Sequence, residues 1–291
     1  MPLNKIINVQ VSRGTKYRDY VLTDYEPLLE PWGKLHPVSL FRYALHKEGL
    51  LAVVDPALRA LRSALGAEET VWGIKYGPNG FSGELYFYND SQNAKGNPKS
   101  VARIKEIMRP FFAIPGHVPG GARYFMCSLE FTAESFALGR LGEFRLYFSD
   151  GGRGGYSFSA GDNGLLLENH YSFYKIPAEL EEARRKVRLS VRTGGNWGTP
   201  SFFPGYCLPC HTICHAIKPE SDALYFSRIT TGKLTRFAAE LPCKYISKFL
   251  RKNRSLLGHL LWDVGFDYCS ASGHRCLKNI GAGKFGIYGV L

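Results

Sequence analysis

The chain is poor in the features that would place it in a membrane, outside the cell or on a nucleotide. No apolar run reaches the roughly 20 residues that cross a bilayer, so no membrane partner is expected. The opening stretch, MPLNKIINVQVSRGTKYRDY, lacks the unbroken apolar core of a signal peptide, which points to a cytoplasmic protein. Cysteine occurs 7 times, an odd number that argues against a disulfide framework where no secretory signal precedes it. Neither G-x-x-x-x-G-K-[ST] nor G-x-S-x-G is present, which excludes a P-loop and a nucleophile elbow. Low-complexity linkers and charge blocks that would divide the chain are also missing. Residues 1–291 therefore read as one domain, with a mostly helical part at 1–66 and strands with intervening helices over 70–291.

What is present is positive charge. The formal net charge is +12 and the pI about 9.3. Such a surplus fits an acidic partner: nucleic acid, an anionic membrane surface, or a phosphate-bearing ligand. Two basic clusters, Arg184-Arg185-Lys186 and Lys248–Arg254, read as solvated helix faces. The segment Cys207-Leu-Pro-Cys210-His211 matches the C-x-x-C-H haem-attachment pattern, and with Cys214 and His215 it resembles a zinc cluster. Covalent haem usually needs an exported chain, and no second ligand pair stands at zinc-site spacing. The favoured reading is a strand whose small, soft side chains line or flank a cavity, so no metal ligands are assigned.

The tripeptide Leu-Tyr-Phe recurs as Leu85-Tyr86-Phe87, Leu146-Tyr147-Phe148 and Leu224-Tyr225-Phe226, at spacings of 61 and 78 residues. Those spacings suit a repeated hairpin with intervening helices. Hairpins are expected at Val71–Tyr76 with Glu84–Tyr88, Arg123–Thr132 with Glu143–Ser149, and Tyr156–Ala160 with Leu165–Tyr174. Two more are expected at Tyr206–Ile217 with Ala223–Ile229, and at Val264–Ser270 with Lys284–Val290. Helix is expected over 16–66, with segments Val38–His46 and Pro56–Leu65, the latter opened by Asp55 as N-cap and Pro56 as the first helical residue. Asn97–Phe112, the stretch from Pro177 to Val187, and 233–260 with a break near Pro242 also read as helical.

The predicted class is α+β: about ten antiparallel strands closed into a barrel, with helices around the outside. Alternation gives each strand one apolar face for the helices and one polar, aromatic face for the interior. Glu84, Tyr86 and Tyr88 share the polar face of one strand, Arg145, Tyr147 and Ser149 that of another, and Lys284, Gly286 and Tyr288 that of the last. Such an interior is a ligand chamber.

This order of helices and hairpins resembles the soluble aromatic prenyltransferases with the ABBA barrel. Ser82–Phe87 looks like a strand of the bacterial phenol and naphthol branch. Phe144–Ser149 is similar to a later strand of that branch, and Lys284-Phe285-Gly286-Ile287-Tyr288 resembles its C-terminal K-x-G-x-Y strand. Val264–Ser270 fits the approach to it. The length, the ending and the stretch His36–Phe41 are closer to the peptide prenyltransferases of cyanobactin pathways. The resemblance spans about residues 35–291. Where the phenol branch has an Asp that helps hold Mg²⁺, this chain has Tyr86. The catalytic Glu and the basic residue of the peptide branch stand in opposite order here, as Lys75 and Glu84.

The resemblance implies transfer of a dimethylallyl or geranyl group from its diphosphate to an electron-rich acceptor, an aromatic ring or a side chain of a peptide. Lys75, Arg145 and Lys284 would clamp the diphosphate. Tyr86, Tyr147, Tyr225 and Tyr288 would shield the allylic cation. Glu84, with Asp267 second, would orient or deprotonate the acceptor. Mg²⁺ is left open as a cofactor, and no organic cofactor is expected. The D-D-x-x-D motif of helical prenyl synthases is absent. Alternation from Tyr225 turns Arg228 outward, and His170 reads as a surface or core residue. The rival readings are a non-catalytic nucleic-acid-binding protein, with tyrosines on an open basic face, and a zinc enzyme using Cys207–His215.

Overall fold

Alternating side chains close this chain into a cylinder. A computed structural model describes residues 6–89, 99–116, 118–161, 164–190, 202–268 and 283–291. Its strands are β1 (Thr70–Gly77), β2 (Gly80–Tyr88), β3 (Met126–Phe131), β4 (Phe144–Ser149), β5 (Gly154–Gly161), β6 (Gly164–Lys175), β7 (Thr212–Ile217), β8 (Asp222–Thr230), β9 (Leu261–Tyr268) and β10 (Phe285–Val290). Each pairs antiparallel with its neighbours in sequence, and β10 returns to β1 through Val71 opposite Val290, so the sheet is a closed barrel. The expected α+β class and ten-stranded barrel are both present.

Around it lie α1 (Val38–Lys47), α2 (Leu51–Leu65), α3 (Val101–Met108), α4 (Ala133–Ala137), α5 (Leu180–Leu189), α6 (Thr231–Glu240), α7 (Lys244–Lys252) and α8 (Arg254–Leu257). Their apolar stripes meet the outward strand residues in one continuous core that includes Phe41, Leu45, Leu58, Trp72, Phe87, Phe131, Phe237 and Trp262. Phe41 of α1 stacks on Trp72 of β1, with centroids 5.1 Å apart and planes 2° from parallel. The Trp72 indole donates to the Val290 carbonyl at 2.9 Å, so its polar edge is satisfied within the core. Among the described residues no helix is long and apolar enough to cross a membrane.

Several boundaries differ from the sequence reading. Residues 16–37 are not helical. Pro27, Pro31 and Pro37 interrupt them, and they run as a strap held by backbone bonds from Leu28 to His259 and from Leu35 to Leu256, each 3.0 Å. Helix α2 starts at Leu51, so Pro56 lies inside it and Asp55 is not its N-cap. The Asp55 carboxylate is taken instead by Arg42, at 2.7 Å, and by Arg59 one turn on. Helix α3 starts after Ser100, whose hydroxyl accepts from the Arg103 amide at 3.3 Å, and ends ahead of Pro110. The expected start at Asn97 lies outside the described residues, as do Cys269 and Ser270. Tyr206–His211 form a loop, so β7 is shorter than expected.

Two glycines make room inside the barrel. A Cβ at Gly265 would sit 2.3 Å from Tyr225, and one at Gly286 would sit 2.4 Å from the Tyr288 hydroxyl. The Tyr225 ring lies over Gly265 of the neighbouring strand and the Tyr288 ring over Gly286 of its own, because nothing projects there.

Replacing Phe41 with Ala empties the stack on Trp72. The expected cost is about 3–5 kcal/mol of unfolding free energy, read from urea transitions. A loss under about 1 kcal/mol would show that α1 does not anchor the helical layer.

Candidate active site inside the barrel

The barrel encloses a cavity of about 890 Å³. Its walls divide into a charged upper tier, a tyrosine tier and a floor. The upper tier lies where the β1–β2, β5–β6 and β7–β8 turns gather. The floor is part of the N-terminal strap.

The tyrosine tier follows from strand parity. Tyr86, Tyr147, Tyr225 and Tyr288 all face the lumen, as expected. Tyr171 of β6 and Tyr20 of the strap join them. Ring centroids lie 5.0 Å apart for Tyr20–Tyr86, 5.1 Å for Tyr20–Tyr288, 5.9 Å for Tyr147–Tyr171 and 6.2 Å for Tyr225–Tyr288. Burial pushes all of these phenols up from their ordinary value, so they stay neutral.

The upper tier is ionic. Glu84, fully buried, bridges Lys75 and the Arg145 guanidinium, the latter at 2.9 Å. The hydroxyls of Tyr86 and Ser128 also donate to it. Burial alone would raise the Glu84 pKa, but Lys75 and Arg145 hold it below the usual carboxylate range. Glu130, directly opposite Glu84 in the β2–β3 register, lies 3.8 Å from Lys75, 4.0 Å from Arg145 and 3.9 Å from Lys284. Burial opposes its ionisation, yet Lys75, Lys284 and Arg145 bring it to about 2. Glu168 of β6 pairs with Arg145. Asp267 accepts from Lys218 at 2.7 Å and from Ser221 at 3.5 Å. Burial lowers the Lys218 pKa.

The structure thus places Lys75, Arg145, Lys284 and Asp267 on the cavity wall and Glu84, fully buried, behind Lys75 and Arg145, and Arg145 and Lys284 share Glu130. Glu84 faces Lys75 across the first hairpin as an ion pair. The sequence reading missed Glu130, Glu168, Lys218, Tyr20 and Tyr171. Glu130 was within its reach, because Cys127, Leu129 and Phe131 mark the apolar face of β3 and leave Ser128 and Glu130 inward. Glu168 was not. Counted from Tyr171 it should face out, but a bulge opposite Ser157 and Phe158 turns it onto Arg145.

The floor is built from the strap. Asp19 accepts from the amides of Val21, at 3.1 Å, and Thr23, at 3.0 Å, folding residues 19–23 into a turn across the barrel end. Asp263 of β9 accepts from the Tyr20 amide at 2.7 Å. Arg228, at the bulge of β8 with φ 58°, donates to Asp19 at 2.8 Å. It does not line the cavity, in keeping with the outward assignment. Burial, then the nearby Asp19, push Asp263 up to about 7. His170 packs beside Tyr156, centroids 4.9 Å apart, and is not part of the cavity wall.

The zinc alternative is divided by parity. Cys214 faces the cavity, whereas His215 faces out to Asp222 and Tyr268. Cys207 and Cys210 sit in the outer core, where burial pushes the Cys210 thiol up to about 12. Among the described residues no three His, Cys, Asp or Glu side chains converge as metal ligands. Comparison with protein-family models finds no match for this chain, and comparison with curated proteins finds none either.

Two measurements test the electrostatics. Glu84→Gln leaves Lys75 with Glu130 alone and Arg145 with Glu130 and Glu168, and is expected to cost about 3–5 kcal/mol in urea unfolding. A neutral outcome would show that water already solvates the pair. Asp263 binds its proton more tightly folded, at about 7, than at its ordinary value of 3.8. Between those values the native state holds the extra proton, so stability present below about pH 4 is lost as pH rises towards 7. Asp263→Asn should flatten that fall. An unchanged pH profile would assign the slope to other groups.

Proposed function

We propose that this protein is an ABBA-type prenyltransferase, moving a dimethylallyl or geranyl group from its diphosphate to an electron-rich acceptor. The observation that carries the reading is the closed lumen itself, in which a tier of phenol faces lies beneath a tier of cations paired with carboxylates. In the proposed reaction the allylic C–O bond breaks and its electron pair leaves with the diphosphate. An electron pair of the acceptor forms the new bond to the allylic carbon, and the displaced proton passes to a carboxylate.

The residues divide these tasks by position. Lys75, Arg145 and Lys284 would receive the developing charge on the leaving group, and Lys218 reaches the same space. The faces of Tyr86, Tyr147, Tyr225 and Tyr288 would shelter the cation from water. Glu84 is held ionised between two cations, so it is a poor proton acceptor and a good post. It would fix Lys75 and Arg145 and lend its charge to the cation below. Asp267, at the mouth beside Ser221, would take the proton.

Charge bears on Mg²⁺. Lys75, Arg145, Lys218 and Lys284 are matched by Glu84, Glu130, Glu168 and Asp267, so a diphosphate enters with uncompensated negative charge. Glu130 and Glu168, both beside Arg145, would be the oxygen ligands offered to a hard divalent ion. Bound there, Mg²⁺ would neutralise the leaving group.

The nucleic-acid reading is weaker here, because the tyrosines that would stack on bases are enclosed. A mass-spectrometric screen of C5, C10 and C15 prenyl diphosphates against amino acids, cyclic peptides and phenols tests the proposal. The expected result is an acceptor gaining one prenyl unit, with kcat/KM falling about 100-fold or more in Arg145→Met. Neither binding nor turnover of any short prenyl diphosphate would falsify it.

A further inference from the structure

Strand β6 is longer than the partner on one of its sides. Of its 12 residues, His170–Lys175 pair with β7, while the stretch before them, Gly164–Asn169, extends past the end of β7 at Ile217. On its other side this stretch is paired with β5, through Leu165 opposite Ala160 and Leu166 opposite Ser159, with the bulge at Glu168 before Asn169 meets Ser157. Among the described residues nothing pairs with its β7-side edge. The result is a fixed, open strand edge on the rim of the chamber, about 20 Å long.

The side chains are unusual for an open edge. Natural edges are blunted by Lys, Pro or burial. Here Leu165, Leu166 and Leu167 are exposed, Leu166 by 70%. Leu166 shares a face with Glu168 and stands at the cavity wall, whereas Leu165 lies on the other face. A strand added at this edge would continue the barrel wall where β7 stops, above the Lys218–Ser221 turn. Every second side chain of the added strand would then overlook the chamber.

We propose that the Gly164–Asn169 edge docks an extended, partly apolar polypeptide segment by β-strand addition, and so presents one of its side chains to the barrel mouth. That this segment is the acceptor rests on the transferase reading; the docking itself does not. Main-chain bonds would supply affinity with little demand on sequence, and the leucines would favour apolar residues at alternate positions. The continuity of edge and chamber selects a flexible segment over a second copy of the barrel, whose bulk would cover the mouth.

Hydrogen exchange on the full chain tests this. The probes are linear peptides of about ten residues with alternating apolar and polar positions and a central Tyr, and N-acetyltyrosine amide as a small control. Amides of 164–169 facing the open edge should slow about 10-fold or more with peptide and not with the control. Backbone N-methylation of the peptide at alternate residues should abolish that slowing, and because the change is in the probe, folding of the protein is not at issue. Peptide binding or prenylation with no protection at 164–169 would overturn the proposal. So would absence of peptide binding up to about 1 mM, or protection that appears without peptide as protein concentration rises. Binding of dimethylallyl diphosphate, measured on the same sample, separates the two ideas: its absence beside a protected edge removes the transferase reading alone.

Discussion

A carboxylate without access to water holds the upper lumen together. Removing Glu84 from solvent costs several kcal/mol unless its lone pairs and charge are met. Four groups meet them: Lys75, Arg145, Tyr86 and Ser128. Each comes from β1, β2, β3 or β4, so the first four strands must be in register for the charge to be tolerated. A slip of one residue would turn Glu84 into the apolar layer beneath the helices and Leu85 into the lumen. The buried ion cluster is thus a specification of register as well as a piece of chemistry.

Barrel width explains why the interior is polar at all. Apolar side chains from ten strands do not converge tightly enough to exclude every gap, whereas smaller barrels fill themselves. The space left must be either wet or lined by groups that tolerate water and ligand alike. Tyrosine does both: its ring covers area and its hydroxyl finds partners. The aromatic tier stays open at its centre because Gly265, opposite Tyr225, and Gly286, two residues before Tyr288 on its own strand, let those rings lie against the wall. Wall-hugging rings present faces to the lumen, and the face carries the negative side of the aromatic quadrupole.

Period-2 alternation made the barrel, its inward tyrosines and Lys75, Glu84, Arg145 and Lys284 legible in the sequence. It is a local signal and needs no knowledge of partners. It failed where the backbone departs from a regular pleat. At Glu168 a bulge reverses parity, and no glycine or proline in Leu165–Asn169 announces it. It also failed where contact is distant in sequence. Tyr20 meets Asp263 across more than two hundred residues, and nothing in residues 16–37 distinguishes a strap from a helix except three prolines. Asp55-Pro56 misled for a third reason. The pair reads as a helix start by local chemistry, but Arg42 and Arg59 supply a better use for the carboxylate.

The strap gives the chamber a direction. The Asp19 turn, pinned by Asp263 and Arg228, lies across part of one end, and the other end carries the ionic tier and the β5–β6 rim. Under the transferase reading, a prenyl diphosphate enters tail first, since its apolar chain suits the tyrosines and its charged head suits Lys75, Arg145 and Lys284. The tail would then run towards Tyr20 and the strap, so the strap would limit the chain length accepted. Under that reading an acceptor held at the ionic end would lie nearer the mouth than the prenyl tail, so a diphosphate bound first would not be blocked by it. Release of the diphosphate from Lys75, Arg145 and Lys284 would then be a step in every turnover.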